Sequence, residues 1–359
     1  DSQLRRAATS MNEVIKLTLQ QLEAVHGREG GITGVSSGFR RLDDMTSGWQ
    51  NTDLIVIAAR PSMGKCLGKG TPIMMYDGTI RRVEDVRVGD LLMGDDSTPR
   101  TVLSLARGRE MMYHVRQKHA MDYRVNESHI LSLRKSRRGG REARGAVCNL
   151  SMREYLAKPA KWKNDHKGYK VAVDFPERPL PVDPYFLGLW LGDGKRDNAR
   201  IYTTEPEVVA YLHAAADARG EAVTVSDAFR PCPAYLVTGG RGASRFDSIQ
   251  ANLRALGVLG DKHIPHAYLA NSRANRLRLL AGLIDSDGHR NAGYGGTYEI
   301  TQKDRRVAEQ IKYLCDTLGY RTSITAKRAR IARTGFEGVV WRVRFNGDVD
   351  QIPVRVARK

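Results

Sequence analysis

The chain has 359 residues, 58 Lys/Arg against 40 Asp/Glu for a net charge of +18, and 41% hydrophobic but only 7% aromatic residues. That length can hold two or three domains with their own cores. No apolar run approaches the roughly 20 residues of a bilayer span and the start shows no signal-peptide pattern, so no membrane partner and a cytoplasmic location are expected. The four cysteines Cys66, Cys148, Cys232 and Cys315 contain no C-x-x-C pair, which argues against a disulfide framework or a zinc knuckle; the last three read as packing residues. The positive charge points to a polyanion and is unevenly placed: residues 1–65 hold 8 basic and 7 acidic side chains, and residues 66–359 hold 50 and 33.

In chain order, the pattern predicts a helix from Met11 to His26, with Ser10 as N-cap, Glu13 three residues on and Gly27 at its end. A short amphipathic helix follows at Phe39, Leu42 and Met45, then a buried strand at Asp53 to Ala59. This strand runs into Arg60, Pro61, Ser62, Met63, Gly64 and Lys65, the first half of a phosphate-binding loop in which Ser62, Gly64 and Lys65 are the nucleotide-binding candidates. The loop is then broken. Where a hydroxyl should hold Mg²⁺ stands Cys66, a poor ligand for a hard cation, followed by Leu67, Gly68, Lys69 and Gly70 rather than an apolar helix.

The run ITGVSSGFRRLDDMTSGWQNTDLIVIAARPSMGK, ending at Lys65, resembles the start of the RecA-like motor of DnaB-type replicative DNA helicases. The resemblance implies an ATP/Mg²⁺-dependent host that works as a homohexamer on single-stranded DNA with primase, although this chain alone is not expected to unwind DNA. From Cys66 the character changes to short apolar strands alternating with turns such as Asp77-Gly78 and Gly89-Asp90. This stretch resembles the start of an intein of the hedgehog/intein (HINT) fold. Residues Tyr123 to Leu133 are similar to the intein motif bearing Thr-x-x-His, with Asn126 in place of the threonine and the histidine kept as His129. The resemblance implies that the Cys66 thiol attacks the Lys65 carbonyl to form a thioester, and that His129 protonates the departing amide nitrogen.

Between Arg134 and Lys170 lie twelve Lys/Arg against three acidic residues, with Trp162 and Tyr169 interleaved. This composition suits either a nucleic-acid contact surface or a solvated linker. Two similar motifs follow. In the first, Asp183 and Pro184 open an apolar helix that ends at Gly192-Asp193-Gly194; in the second, Arg276 to Gly288 repeats the plan and aligns Asp287 with Asp193. Small residues at Gly188 and Gly192, and at Gly282 and Ser286, would let two such helices pack closely and bring both carboxylates to one point. The second motif, LAGLIDSDG, resembles that of LAGLIDADG homing endonucleases, and the first, FLGLWLGDG, is a looser form. The resemblance implies Asp193 and Asp287 as the catalytic, Mg²⁺-holding pair on double-stranded DNA, Lys262 as a basic catalytic group, and a more structural Asp285.

The expected architecture is multidomain. A short α/β RecA-like helicase fragment (1–65) precedes a mostly-β HINT splicing domain (66–135), a basic linker or DNA-recognition region (136–180) and an α/β LAGLIDADG endonuclease with a pseudo-two-fold repeat (181–345). Residues 346–359 read as a truncated return to the splicing domain. The closing His-Asn pair of an intein is not reached by Lys359, so a fragment able at most to form the thioester is expected. Two other readings compete: a decayed DNA-binding remnant, and a nucleotide-driven motor in its own right, disfavoured by the broken loop.

Overall fold

The computed structural model describes residues 66–359 except 118–120, 137–142, 227–230, 240–247, 292–295 and 332–335, together with residues 11–13, 15–16 and 19–20. The chain divides into two units, Asp1–Met63 and Gly64–Lys359. In the first unit the described residues are helical, within the helix expected from Met11, and Met11, Ile15 and Leu19 are exposed. The strand expected at 53–59 and the phosphate-loop candidates Ser62, Gly64 and Lys65 lie outside the described residues.

The second unit begins with short antiparallel pairs: β1 (Pro72–Met74) with β2 (Ile80–Arg82), β3 (Leu91–Met93) with β4 (Pro99–Thr101), and β5 (Met112–Val115) with β6 (Tyr123–Asn126). Glycines at positive φ, including Gly78 and Gly89, make the turns that the sequence pattern predicts. The next strand, β7 (Ile130–Lys135), pairs with β8 (Val147–Ser151) on one side and β9 (His166–Lys167) on the other. Between β8 and β9 lie α1 (Met152–Ala157), closed by a Ser151/Glu154 capping box, and α2 (Ala160–Asp165). Much of the stretch expected as linker or recognition surface is therefore folded onto β7. Trp162 stacks on His166 at 3.8 Å and meets Tyr155 edge-on at 6.5 Å, so its ring is spent on packing with Val125, Leu131 and Leu150.

The larger part is built on two helices, α3 (Pro184–Asp193) and α7 (Arg273–Asp287). Asp183 caps α3 by accepting from Tyr185 N at 2.9 Å and Phe186 N at 3.2 Å, with Pro184 at the first helical position. The helices touch backbone to backbone. A Cβ on Gly188 would lie 2.3 Å from Leu279 O and 2.8 Å from Leu283 N; one on Gly282 would lie 2.2 Å from Tyr185 O and 2.8 Å from Leu189 N. The contacts are reciprocal, position for position.

After α3 come β10 (Arg200–Tyr202), α4 (Pro206–Asp217), β11 (Glu221–Ser226), β12 (Ala234–Gly239) and α5 (Ile249–Ala255), with the strands in order β10-β12-β11. The short α6 (His266–Leu269) precedes α7, which leads into β13 (Gly288–Asn291), β14 (Thr297–Gln302), α8 (Arg305–Thr317) and the long hairpin β15 (Arg321–Ile331) and β16 (Phe336–Asn346). These four strands run in order β13-β14-β16-β15. One apolar core joins α3, α4, α5, α7 and α8 to both sheets. Val349, Ile352 and Val356 belong to it, so residues 346–359 pack in this core instead of returning to the strands of residues 66–135; their spaced apolar side chains supply the reason.

The two parts meet at a small apolar cluster. Val173, Phe175 and Ala270 pack with Met74 and Met93. The buried Arg276 ties this strap down, donating to Val173 O at 2.7 Å, Asn271 O at 2.8 Å and Thr317 Oγ1 at 2.9 Å. At the β1–β2 turn, Tyr313 OH donates to Gly78 O at 2.6 Å, and His266 Nε2 lies 2.9 Å from Asp77 O.

Candidate active sites

The first site surrounds Cys66. Its backbone lies along β6: Leu67 bridges to Val125, Gly68 N donates to Arg124 O at 2.7 Å, and Asn126 N donates to Cys66 O at 3.2 Å. The Cys66 N–H, which belongs to the Lys65–Cys66 amide, donates to Asn126 Oδ1 at 3.1 Å. Asn126 thus occupies the threonine position of the motif with a side chain that engages this nitrogen directly. Asn126 is fully buried. It also sets up the turn that carries His129, whose N–H donates to Asn126 O at 3.3 Å and whose carbonyl accepts from Met152 N at 2.9 Å. Cys66 and His129 are both half-buried.

The second site lies where α3 and α7 end side by side. Gly192 faces Ser286 and the Asp287 carboxylate, and Ser286 Oγ donates back to Gly282 O at 2.9 Å. The absence of a side chain at Gly192 lets the two helix ends, and with them Asp193 and Asp287, come together. Asp287 Oδ2 accepts from Gln302 Nε2 at 2.7 Å. Burial pushes the Asp193 carboxyl up to about 6, with the charge of Asp287 adding to the shift. Asp287 keeps an edge open to solvent, yet the density of protein around it also raises its carboxyl. Asp285 takes a different role: it is buried, accepts from Tyr185 OH at 2.6 Å and Arg355 N at 2.7 Å, and so fastens α3 and the last residues to α7.

Two lysines close this site. Lys262 Nζ donates to Trp190 O at 2.9 Å, Leu191 O at 3.1 Å and Gly194 O at 2.7 Å, at the end of α3. Lys359 Nζ donates to Ile284 O at 2.8 Å and to Asp285 O and Ser286 O at 2.7 Å, at the end of α7. A carboxylate at a helix C-terminus meets the negative end of the helix dipole, and an ammonium on the terminal carbonyls offsets both. Burial lowers Lys262 to about 8 and also lowers Lys359, while the aspartates act in the opposite direction. The sequence reading had Lys262 but missed Lys359. A repeat with one carboxylate per helix end calls for one cation per end, and that symmetry was the available signal. Cys148 packs beside the small core and Cys315 is buried, but Cys232, expected as a packing residue, is exposed.

The pair fits a hard divalent cation: both ligands are oxygens and both carboxyls are crowded. Among the described residues no group of three or more His, Cys, Asp or Glu could hold a metal. Two carboxylates would need water and phosphate oxygens to complete the coordination of such a cation. Also among the described residues, no helix is long and apolar enough to cross a membrane.

Residues 34–88 match the DnaB-like helicase C terminal domain, residues 66–147 the Hom_end-associated Hint domain and residues 274–349 a LAGLIDADG-like domain. A replicative DNA helicase DnaB of Mycobacterium intracellulare is 30% identical over 296 residues, 77% of this chain and 46% of that protein. A replicative DNA helicase DnaB of Rhodothermus marinus is 71% identical over 65 residues, 18% of this chain and 7% of that protein. The chain thus spans less than half the length of either relative. A solved structure of the homing endonuclease I-DmoI in complex with DNA and Mn is similar at 14% identity, with a TM-score of 0.32 over 46% of this chain and 89% of that one. The chain carries a DnaB-type replicative helicase sequence interrupted within its phosphate loop by an intein with a LAGLIDADG endonuclease domain.

Proposed function

We propose that the inserted element performs the first step of protein splicing at Lys65–Cys66 and carries a site-specific double-strand DNA endonuclease, inside the sequence of an ATP-dependent replicative helicase. The observation that carries this reading is the anchoring of the Cys66 amide nitrogen on Asn126 where the helicase-like sequence breaks off. In the step, Cys66 Sγ bonds to the Lys65 carbonyl carbon, the bond from that carbon to Cys66 N breaks, and the nitrogen leaves as an amine with the proton that the thiol gives up. His129 is the acid that delivers it.

On the nuclease side, Asp193 and Asp287 would hold Mg²⁺. When bound, the ion polarises a scissile phosphate and activates water. Lys262 and Lys359 neutralise the helix ends, keep the two carboxylates close, and stand ready for phosphate charge. The reciprocal contacts of Gly188 and Gly282 support a pseudo-two-fold domain whose two sheets cradle a duplex, and Lys327, exposed on the face of β15 opposite the core residues Thr322 and Ile324, supplies charge for its backbone. Ser62, Gly64 and Lys65 would bind ATP in the spliced helicase, which would act as a hexamer on single-stranded DNA with primase, in the cytoplasm.

Mass spectrometry of the full chain after thiol treatment tests the first activity. Release of residues 1–65 from the wild type but not from Cys66→Ala is expected, and equal release from both sinks it. For the second, Mg²⁺-dependent cleavage of DNA coding for an uninterrupted helicase phosphate loop should fall at least ~1000-fold in Asp287→Asn. Equal cleavage by wild type and Asp287→Asn overturns the assignment of the reaction to Asp287, and none by either leaves a DNA-binding remnant.

A further inference from the structure

The Asn126 amide is held from two sides. Its Oδ1 accepts the Cys66 N–H at 3.1 Å, and its Nδ2 donates to Glu110 Oε2 at 2.7 Å and Ser128 Oγ at 2.9 Å. A backbone N–H can only donate and an ionised carboxylate can only accept, so the amide has one orientation that satisfies both neighbours. Glu110 lies just before β5, whose Met112 pairs with Asn126 in the β5–β6 register, so the sheet itself brings the carboxylate to the amide. A threonine in this place has one hydroxyl and one rotor to set; the longer asparagine needs a partner that tells its oxygen from its nitrogen.

We propose that Glu110 is a positioning residue for the acyl shift at Cys66, acting through Asn126. This rests on the splicing reading above. The contact gains strength as the reaction proceeds. When the bond from the Lys65 carbonyl carbon to Cys66 N breaks and the nitrogen takes its proton, the N–H donor turns from amide to ammonium-like. An amide polarised by a carboxylate at its far end accepts from that donor better than an unpolarised one. Binding that grows toward the transition state accelerates the step. Glu110 also keeps Oδ1, and not the NH₂ group, facing the nitrogen; the opposite orientation would set donor against donor.

The test is the rate at which added thiol releases residues 1–65 from the full chain, timed by mass spectrometry. Glu110→Ala should slow release roughly tenfold, the effect of one charge-assisted hydrogen bond, and Glu110→Gln by a smaller factor because it keeps an acceptor without the charge. Glu110 is exposed, so neither change should lower the thermal midpoint. The deciding arm is Asn126→Thr. In that background Glu110→Ala should have no further effect, because the residue through which it acts is gone. Release lost in Cys66→Ala but untouched by Glu110→Ala overturns the positioning role alone. An equal slowing by Glu110→Ala with Asn126 or Thr at position 126 overturns it as well. Equal release from wild type and Cys66→Ala overturns the acyl shift and this inference together.

Discussion

The Hint strands and the helix pair hold their candidate sites by opposite means. Around Cys66 the strands are at most six residues long, the buried apolar cluster is small, and the Cys66 nitrogen is held by a chain of hydrogen bonds through Asn126. Around Asp193 and Asp287 the carboxylates are placed by close helix packing within one large core. A hydrogen-bonded site can exchange one partner for another of matching polarity, as Asn126 does for threonine. A site set by backbone packing, where an added Cβ would lie 2.2 to 2.8 Å from the facing backbone, cannot take even one methyl group.

The change expected to separate the two regions most is Gly282→Ala. Its methyl would lie 2.2 Å from Tyr185 O, so the helices must part, at a cost of about 3 kcal/mol. Thermal unfolding should show the loss and DNA cleavage should fall with it, while thiol release at Cys66 persists. If release falls in proportion, the two regions fold as one and the contrast fails.

A smaller effect comes from titration. The Asp193 carboxyl titrates near 6 in the folded chain against 3.8 without its surroundings. The folded state therefore holds this proton more tightly, and the stability it contributes is complete below pH 3.8 and lost as pH rises through about 6. Asp193→Asn should thus stabilise the metal-free chain at pH 7.5 by ~1–2 kcal/mol and change nothing at pH 3.5, as read by denaturant midpoints with a chelator present. A ligand must lose its proton, so cleavage by the wild type should decline as pH falls through about 6.

The smallest expected effect is at the seam. Tyr313→Phe removes the donor to Gly78 O and should cost about 1 kcal/mol, visible in the thermal midpoint with little change in either chemistry. A drop in thiol release beyond that loss of stability would show that the seam transmits to Cys66.

The sequence made some parts of this legible and hid others for physical reasons. The turns at Gly78 and Gly89 and the opening of α3 at Asp183 and Pro184 lie where the sequence pattern puts them, because turn glycines and capping residues are local signals. The paired aspartates were visible because small residues in a helix that ends in Gly-Asp-Gly have a geometric meaning. Residues 147–167 misled because charge density says where a chain is solvated and not whether it folds; Trp162 packs on Val125, Leu131 and Leu150, distant partners that no local pattern announces. Lys359 was hidden by long-range topology, since its carbonyl partners lie more than seventy residues earlier. Glu110 was missed in the same way, with its link to Asn126 set by register across β5 and β6.

The seam at Gly78 bears on protein engineering. Excising residues 181–345 to obtain a compact Hint domain would strip Tyr313 and His266 from the β1–β2 turn, and would take from Met74 and Met93 both Ala270 and the Arg276 side chain that holds Val173 in place. A minimised version therefore needs polar replacements at Met74 and Met93 and a self-sufficient turn at Asp77-Gly78, because the deletion that shortens the chain also turns its inner wall into an outer surface.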